Sequence, residues 1–203
     1  MFTGIVQATC EVVSVDLHNG IKKLAIELGS DLTDGLAIGA SVAINGVCLT
    51  VTQLVNGRVF FDVMEETLQL SNLRTLKQSD SVNVERSLTF GSEIGGHILS
   101  GHIHTQATVI SISCSDKHHT IELEVDKKWM KFILYKGFIA INGCSLTIGE
   151  VNENQFLIHL IPETLRLTNL KNCQKGSLLN IEIDSQTQTI VETVERVLAA
   201  NNS

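Results

Sequence analysis

The sequence predicts an all-β fold of two tandem, homologous β-barrels followed by a C-terminal amphipathic helix. Three observations predict it. The chain repeats itself at a spacing of 97 residues. Within each copy, apolar and polar residues alternate with the period of a β-strand. The last residues change to the period of a helix.

The internal repeat is the strongest of these signals. Residues 44–50 read INGVCLT and residues 141–147 read INGCSLT, and the register continues without a gap to residues 86 and 183, with 13 identities in 43 aligned positions. The same offset sets residues 3–6 against residues 100–103. Such self-similarity indicates a tandem duplication, and we expect units at residues 1–97 and 98–184.

Each unit has the pattern of short strands joined by tight turns. Residues 121–125 and 179–183 alternate apolar and polar side chains, residues 59–63 form an apolar β-rich stretch, and Asn-Gly pairs stand at 45–46, 56–57 and 142–143. Asn-Gly is typical of two-residue hairpin turns. Closed barrels, which leave no exposed edge, are favoured, and a two-layer sandwich is the alternative.

The chain ends in a helical pattern within residues 185–203. Apolar residues fall at Ile190, Val191, Val194, Val197 and Leu198, which places them on one face of a helix. The helix could pack on its own barrel. Because it follows two complete units, a role between subunits is favoured.

Composition excludes several classes of protein. The net charge is -7 and no basic run is present, which argues against nucleic-acid binding. No apolar stretch approaches about 20 residues, so we expect no membrane span. The five cysteines form no CxxC pair and no signal segment precedes them. These features indicate a reduced, cytoplasmic protein without a structural metal site.

Several motifs, taken in order, resemble the riboflavin synthase family. They are MFTGIV at the N-terminus, NGVCLTV at 45–51, GGHILSGHI at 95–103, LYKGF at 134–138, NGCSLTIGEV at 142–151 and LIPETL at 160–165. The resemblance implies two six-stranded Greek-key barrels and a helix that forms a homotrimer. It also implies a reaction without cofactor or metal. Two molecules of 6,7-dimethyl-8-ribityllumazine exchange a four-carbon unit to give riboflavin and 5-amino-6-ribitylaminouracil. Lumazine synthase is a candidate partner.

The positions that break the repeat are candidates for catalysis, because one ligand donates the fragment and the other accepts it. His102 stands opposite Ile5, and an imidazole can transfer protons near neutral pH. Ser145 stands opposite Cys48. The resemblance assigns Ser145 a catalytic role, whereas its structural alternative is a turn residue bonded to its own backbone. Cys48 is either a catalytic group or a small buried side chain.

Two further residues of the second unit depart from the repeat. Asp184 stands opposite Ser87. Its carboxylate could polarise Ser145 or steady a protonated His102, and it could also cap the terminal helix. Lys136 stands opposite Gly39, and its ammonium could neutralise charge on the pyrimidine ring or lie in solvent.

The resemblance places the substrate-binding residues in matching segments of the two units, with many contacts made by backbone groups. Those of the first unit are Gly4, Ile5, Val6, Cys48, Leu49, Thr50, Asp62, Val63, Met64, Glu65, Glu66 and Thr67. Those of the second unit are Gly101, His102, Ile103, Lys136, Ser145, Leu146, Thr147, His159, Leu160, Ile161, Pro162, Glu163 and Thr164.

The alternative function is a non-catalytic antenna protein of the same fold that binds a lumazine or flavin. The four distinctive residues of the second unit favour the enzyme. Among the remaining histidines, His97 is expected to support the pocket, and His104, His118 and His119 are expected to face solvent.

Overall fold

The computed structural model describes residues 1–114 and 119–201 and contains two closed antiparallel barrels of six strands. The strands of the first barrel are β1 (Ala8–His18), β2 (Ile21–Glu27), β3 (Ser41–Ile44), β4 (Val47–Val55), β5 (Arg58–Val63) and β6 (Ser81–Arg86). Those of the second are β7 (Thr105–Cys114), β8 (His119–Glu124), β9 (Phe138–Ile141), β10 (Cys144–Asn152), β11 (Gln155–Leu160) and β12 (Leu178–Ile183). The neighbours run β1-β2-β5-β4-β3-β6 in one barrel and follow the equivalent order in the other. The predicted barrels are confirmed, and the sandwich is wrong.

Short helices connect the strands, and a longer one ends the chain. The α-helices are α1 (Gly29–Thr33), α2 (Glu65–Leu70), α3 (Pro162–Leu167) and α4 (Ser185–Asn201). The 3-10 helices are Asn72–Thr75, Lys127–Phe132 and Asn169–Asn172. None of the helices in the described ranges is both long and apolar enough to cross a membrane.

Alternation along the strands fills one core per barrel. On β5, Val59, Phe61 and Val63 are completely buried while Arg58 and Asp62 are exposed, because successive side chains of a strand point to opposite faces.

The Asn45-Gly46 turn has φ values of 47° and 81°. Both residues of a type I′ turn need a positive φ, which explains the Asn-Gly pair.

Six asparagines join the two barrels. This asparagine cluster comprises the repeat-related pairs Asn45 and Asn142, Asn72 and Asn169, and Asn83 and Asn180. The Asn83 side chain donates to the main-chain oxygen of Asn142, and Asn180 donates to that of Asn45, both at 2.9 Å. Each barrel therefore satisfies backbone groups of the other, and the pattern has an approximate twofold symmetry.

The segment before each barrel packs against the opposite barrel. We call residues 3–6 and 100–103 the crossing segments. Val6 lies in the core of the second barrel, and Ile103 packs against the core of the first. Phe2 and Leu99 join the two segments through reciprocal backbone hydrogen bonds of 2.9 and 3.0 Å. The repeat in the sequence therefore does not coincide with a self-contained unit in space.

The predicted terminal helix is confirmed as α4, and its apolar stripe is largely uncovered. Val191 packs against the second barrel. By contrast, Ile190, Val194, Val197 and Leu198 are each more than half exposed. In the single chain, the helix therefore presents apolar surface to its surroundings.

Candidate functional site

Two related pockets lie where a crossing segment meets the opposite barrel. The first pocket has a volume of about 170 Å³ and is lined by Val47, Cys48, Glu66, Thr67, Leu70, Gly101, His102 and Ile103. The second has a volume of about 220 Å³ and is lined by Gly4, Ile5, Val6, Cys144, Ser145, Ile161, Glu163, Thr164, Leu167 and Thr168. Each pocket thus combines the start of one strand and one short helix of a barrel with the crossing segment of the other repeat.

The crossing segments approach the pockets through glycines. The Ser145 amide donates to the Gly4 oxygen, and the Cys48 amide donates to the Gly101 oxygen, both at 2.8 Å. A Cβ atom at Gly4 would lie 2.5 Å from Ser145 Cβ, and one at Gly101 would lie 2.5 Å from Cys48 Cβ. Both glycines also have φ near 80°. A larger residue would therefore separate the segment from the pocket.

Ser145 forms a short hydrogen bond with His97 beside the second pocket. The Oγ atom of Ser145 lies 2.6 Å from Nδ1 of His97, and the His97 ring stacks on Phe138 at 5.1 Å between ring centroids. A hydroxyl in contact with an imidazole is the arrangement that activates a serine as a nucleophile or holds an attacking water. His97 therefore belongs to the site more directly than the sequence predicted.

The environment of His97 favours its neutral form. Burial lowers the pKa of His97, and the negative charge of Asp184 acts in the opposite direction. A neutral imidazole can accept the Ser145 proton at pH 7. Sequence reasoning undervalued His97 because it lies at the junction of the two repeats, outside their aligned positions; only its place within GGHILSGHI marked it.

His102 lies away from Ser145, in the first pocket with Cys48. Its ring is exposed, and its backbone amide donates to Ser100 Oγ at 3.2 Å. The proposed catalytic residues are therefore divided between the pockets, with His102 and Cys48 in the first and Ser145 in the second. His97 and His102 both come from residues 97–102, which link the two barrels.

Asp184 caps the terminal helix. Its Oδ2 accepts hydrogen bonds from the Thr187 amide at 2.9 Å and the Thr187 hydroxyl at 2.8 Å. The same carboxylate acts electrostatically on His97. Asp184 therefore caps the helix, as the structural alternative predicted, and its negative charge can also stabilise a protonated His97.

Lys136 lies on the loop before β9, two residues from the Phe138 that stacks on His97. Its φ of 65° is left-handed, as is the φ of 88° at its counterpart Gly39. A lysine in this region carries backbone strain that a glycine does not. Its Nζ lies 5.2 Å from the centroid of the Tyr135 ring.

Glu66 and Glu163 occupy equivalent places in the two pockets but differ in their partners. Glu163 accepts hydrogen bonds from Arg166 at 2.9 and 2.6 Å, and this contact lowers the pKa of Glu163. The counterpart of Arg166 in the first repeat is Gln69. The negative charge of Glu163 in the second pocket is therefore paired with the Arg166 guanidinium, whereas Glu66 in the first pocket has a glutamine at the matching position.

The other predicted binding residues lie outside the two pocket linings. Leu49, Leu146, Val63 and Leu160 are buried in the barrel cores, so only their backbone could contact a ligand. The side chains of the rest are exposed: Thr50, Thr147, Asp62, Met64, Glu65, His159 and Pro162. His159 is bonded to Thr120 at 3.0 Å, and Asp62 lies 4.0 Å from the Lys23 ammonium.

Two of the histidines expected in solvent are partly buried. His104 accepts from the Ile183 amide and lies 3.0 Å from Gln188 Oε1, which ties β12 to α4. His119 lies 3.1 Å from Cys114 Sγ. His118 is outside the described residues.

Two larger depressions lie outside these two pockets. One of about 480 Å³ is lined by Asn45, Asn72, Asn142 and Asn169 of the asparagine cluster, whose side-chain amides bond to one another. The other, of about 560 Å³, lies beside residues 85–95. Within residues 1–114 and 119–201, no three His, Cys, Asp or Glu side chains are grouped to hold a metal ion.

Comparison with known proteins identifies relatives over the whole chain. Residues 3–87 and 100–184 each match the lumazine binding domain family. The chain is 53% identical to a riboflavin synthase of Escherichia coli, covering 100% of this chain and 96% of the relative. It is 40% identical to one of Chlamydia pneumoniae, covering 99% and 98%. A crystal structure of LumP complexed with riboflavin superposes with a TM-score of 0.83 at 29% identity, covering 90% of this chain and 99% of LumP.

Proposed function

This chain belongs to the lumazine binding domain family, and from that membership we propose that it acts as a riboflavin synthase. The proposed reaction transfers a four-carbon unit between two molecules of 6,7-dimethyl-8-ribityllumazine, without cofactor or metal. Riboflavin and 5-amino-6-ribitylaminouracil are the products. The observation that carries the proposal is the pair of related pockets whose polar groups differ.

The two pockets suit a reaction between two identical molecules. Related pockets can bind the same ligand twice, while their different side chains let one ligand act as donor and the other as acceptor. Orienting both rings would replace a bimolecular encounter in water and lower the barrier by several kcal/mol, of order 7 or more for ideal alignment.

We assign roles to Ser145, His97, Asp184 and His102 from the geometry described above, and to Lys136 and the two backbone segments from the family resemblance. Ser145, activated by neutral His97, adds to a ring carbon or holds the attacking water, and Asp184 steadies the protonated imidazole. His102 exchanges protons with the ligand beside Cys48. Lys136 neutralises charge that develops on the pyrimidine ring. Backbone groups of residues 62–67 and 159–164 complete the binding of ring and ribityl chain.

The non-catalytic alternative has less support. LumP, crystallised with riboflavin, with a lumazine and with flavin mononucleotide, is 27–29% identical to this chain. The riboflavin synthases that match the full length reach 53%. In addition, a protein that only binds its ligand has no need of a serine hydrogen-bonded to a histidine, as Ser145 is to His97.

Incubation of the purified chain with 6,7-dimethyl-8-ribityllumazine is expected to yield one riboflavin for every two lumazines consumed. The absorbance of both species should be followed with a metal chelator present and no added cofactor. Binding of the lumazine without its consumption would contradict the enzyme and support the antenna protein.

We also propose a cytoplasmic homotrimer held together by α4, with lumazine synthase as a candidate partner. The support is the exposed apolar stripe of the helix, since surfaces of this kind are usually covered in an assembly.

Deletion of residues 187–203 is expected to convert the trimer into monomers, because the uncovered stripe is removed. Light scattering gives the mass, and circular dichroism should still show β structure. In the full chain, Val194→Asp with Val197→Asp should have the same effect, whereas Arg196→Asp on the polar face should leave the mass unchanged. A trimer that survives the paired substitutions would refute the role of the helix.

A further inference from the structure

We propose that two buried carboxylates, Glu85 on β6 and Glu182 on β12, are positioning residues that each hold the pocket of the opposite barrel in shape. The inference rests on the proposed function only in treating these pockets as substrate sites. Neither carboxylate lines the pocket that it would control.

Each carboxylate binds the crossing segment of its own repeat. Glu85 accepts from the Thr3 amide and hydroxyl, both at 2.7 Å, and from the Gly4 amide at 3.0 Å. Glu182 accepts from the Ser100 amide and hydroxyl, both at 2.7 Å, and from the Gly101 amide at 3.1 Å. The hydroxyl residue, the glycine and the glutamate thus form the same arrangement twice.

The far side of each crossing segment belongs to the other barrel. While Gly4 donates to Glu85 of the first barrel, its oxygen accepts from Ser145 of the second. While Gly101 donates to Glu182 of the second barrel, its oxygen accepts from Cys48 of the first. One residue therefore separates each carboxylate from the pocket of the opposite barrel.

Because both carboxylates are buried, losing one of their hydrogen bonds should disturb the structure more than it would at the surface. Glu85 is 5% exposed and Glu182 is 4% exposed. Burial raises the pKa of both, and the hydrogen bonds from the crossing segments act against that rise. A glutamine has one amide NH₂ group in place of a carboxylate oxygen, and this group would face a backbone N–H as a second donor. The crossing segment would then lose an acceptor in a place from which water is largely excluded.

The arrangement also explains how His102 is oriented. Its amide donates to Ser100 Oγ, and that hydroxyl donates to Glu182. The Glu182 carboxylate thus fixes the backbone at Ser100 and His102, and His102, whose side chain is exposed, lines the first pocket together with Cys48.

Amide hydrogen exchange of the full, ligand-free chain tests the inference. In Glu182→Gln, the Cys48 amide in the first barrel is expected to exchange at least about tenfold faster, because its acceptor on Gly101 is released, while the Ser145 amide changes less than about twofold. In Glu85→Gln, Ser145 should exchange faster and Cys48 should not. Exchange can be followed in peptides spanning residues 44–51 and 141–148.

A merely local role for these residues predicts the opposite result. Glu182 pairs with Ala140 of β9, and Glu85 pairs with Ala43 of β3. Loosening of these strands would therefore speed exchange in the variant's own barrel. That pattern, or equal acceleration in both barrels, would overturn the inference.

If the glutamine variants do not fold, Ser100→Ala and Thr3→Val remove the side-chain hydroxyl that donates to the carboxylate and keep the backbone amides, so they should show the same crosswise pattern at smaller amplitude. An absence of this pattern in folded variants would likewise overturn the inference. The experiment needs no substrate. Its failure is therefore distinguishable from failure of the proposed function, which the assay of the unaltered chain tests.

Discussion

Replacement of His97 by glutamine is expected to lower kcat by about a hundredfold, since general acid–base groups contribute roughly 10²–10⁴. Glutamine can still bond to Ser145 Oγ, which lies 2.6 Å from the His97 ring. It cannot take up the proton, so the serine or its bound water would stay poorly nucleophilic. Binding of riboflavin should change only a few-fold, because His97 does not line either pocket.

The pH profile separates this role from a structural one. Burial lowers the pKa of His97 below its ordinary value, so the base is neutral at pH 7 and becomes protonated only as the pH falls through that lower pKa. In the unaltered chain, kcat should therefore decline on acidification only at pH values lower than the ordinary histidine pKa of about 6.5, and this acidic limb should vanish in His97→Gln. His18→Gln, at an exposed histidine of β1, is the matched control. A His97→Gln enzyme with kcat within about threefold of the unaltered chain would exclude His97 as the base.

Substitution of Gly143 by alanine is expected to lower the free energy of unfolding by about 3 kcal/mol or more, from backbone strain and overpacking together. A Cβ atom there would lie 2.7 Å from the Gly46 nitrogen and 2.8 Å from its Cα. These are backbone atoms of the other barrel, so the barrels must move apart. The asparagine cluster, which depends on this approach, would lose hydrogen bonds between buried groups.

Gly20→Ala is a closely matched control. Gly20 and Gly143 both have a φ of 78°, but nothing lies within 4 Å of a Cβ atom at Gly20. The control should cost only the strain of the left-handed backbone, about 1 kcal/mol. Urea denaturation of both variants measures the difference. Equal destabilisation would show that the approach of the two turns is not what holds the barrels together.

The sequence by itself determined the fold. The offset of 97 residues revealed two copies, alternation located strands such as β5, and the Asn-Gly pairs located the turns at Asn45 and Asn142. The helical period within residues 185–200 predicted α4. These features are local: whether a side chain lies inside a barrel depends on the pleat of its own strand, and a hairpin turn depends on two neighbouring residues.

The sequence also identified many residues of the candidate site, but it did not show which of them lie together. Alignment of the repeats compares Gly4 with Gly101 and Ser145 with Cys48, which suggests one pocket per repeat. In the structure, Gly4 lies against Ser145, and Gly101 lies against Cys48. Which barrel receives a crossing segment is decided by long-range backbone hydrogen bonds, and an internal alignment contains no information about them.

Tertiary structure alone decided the part played by His97 and by the asparagines. His97 lies at the junction of the two repeats, outside their aligned positions, and it meets Ser145, 48 positions away, where both residues bond to the crossing segment of residues 3–6. Asn83 and Asn180 read as ordinary strand residues, yet their side chains donate to the backbone oxygens of Asn142 and Asn45 in the opposite barrel. Buried polar groups must find partners, but the identity of each partner depends on how two closed barrels pack, and that is fixed only when the whole chain is folded.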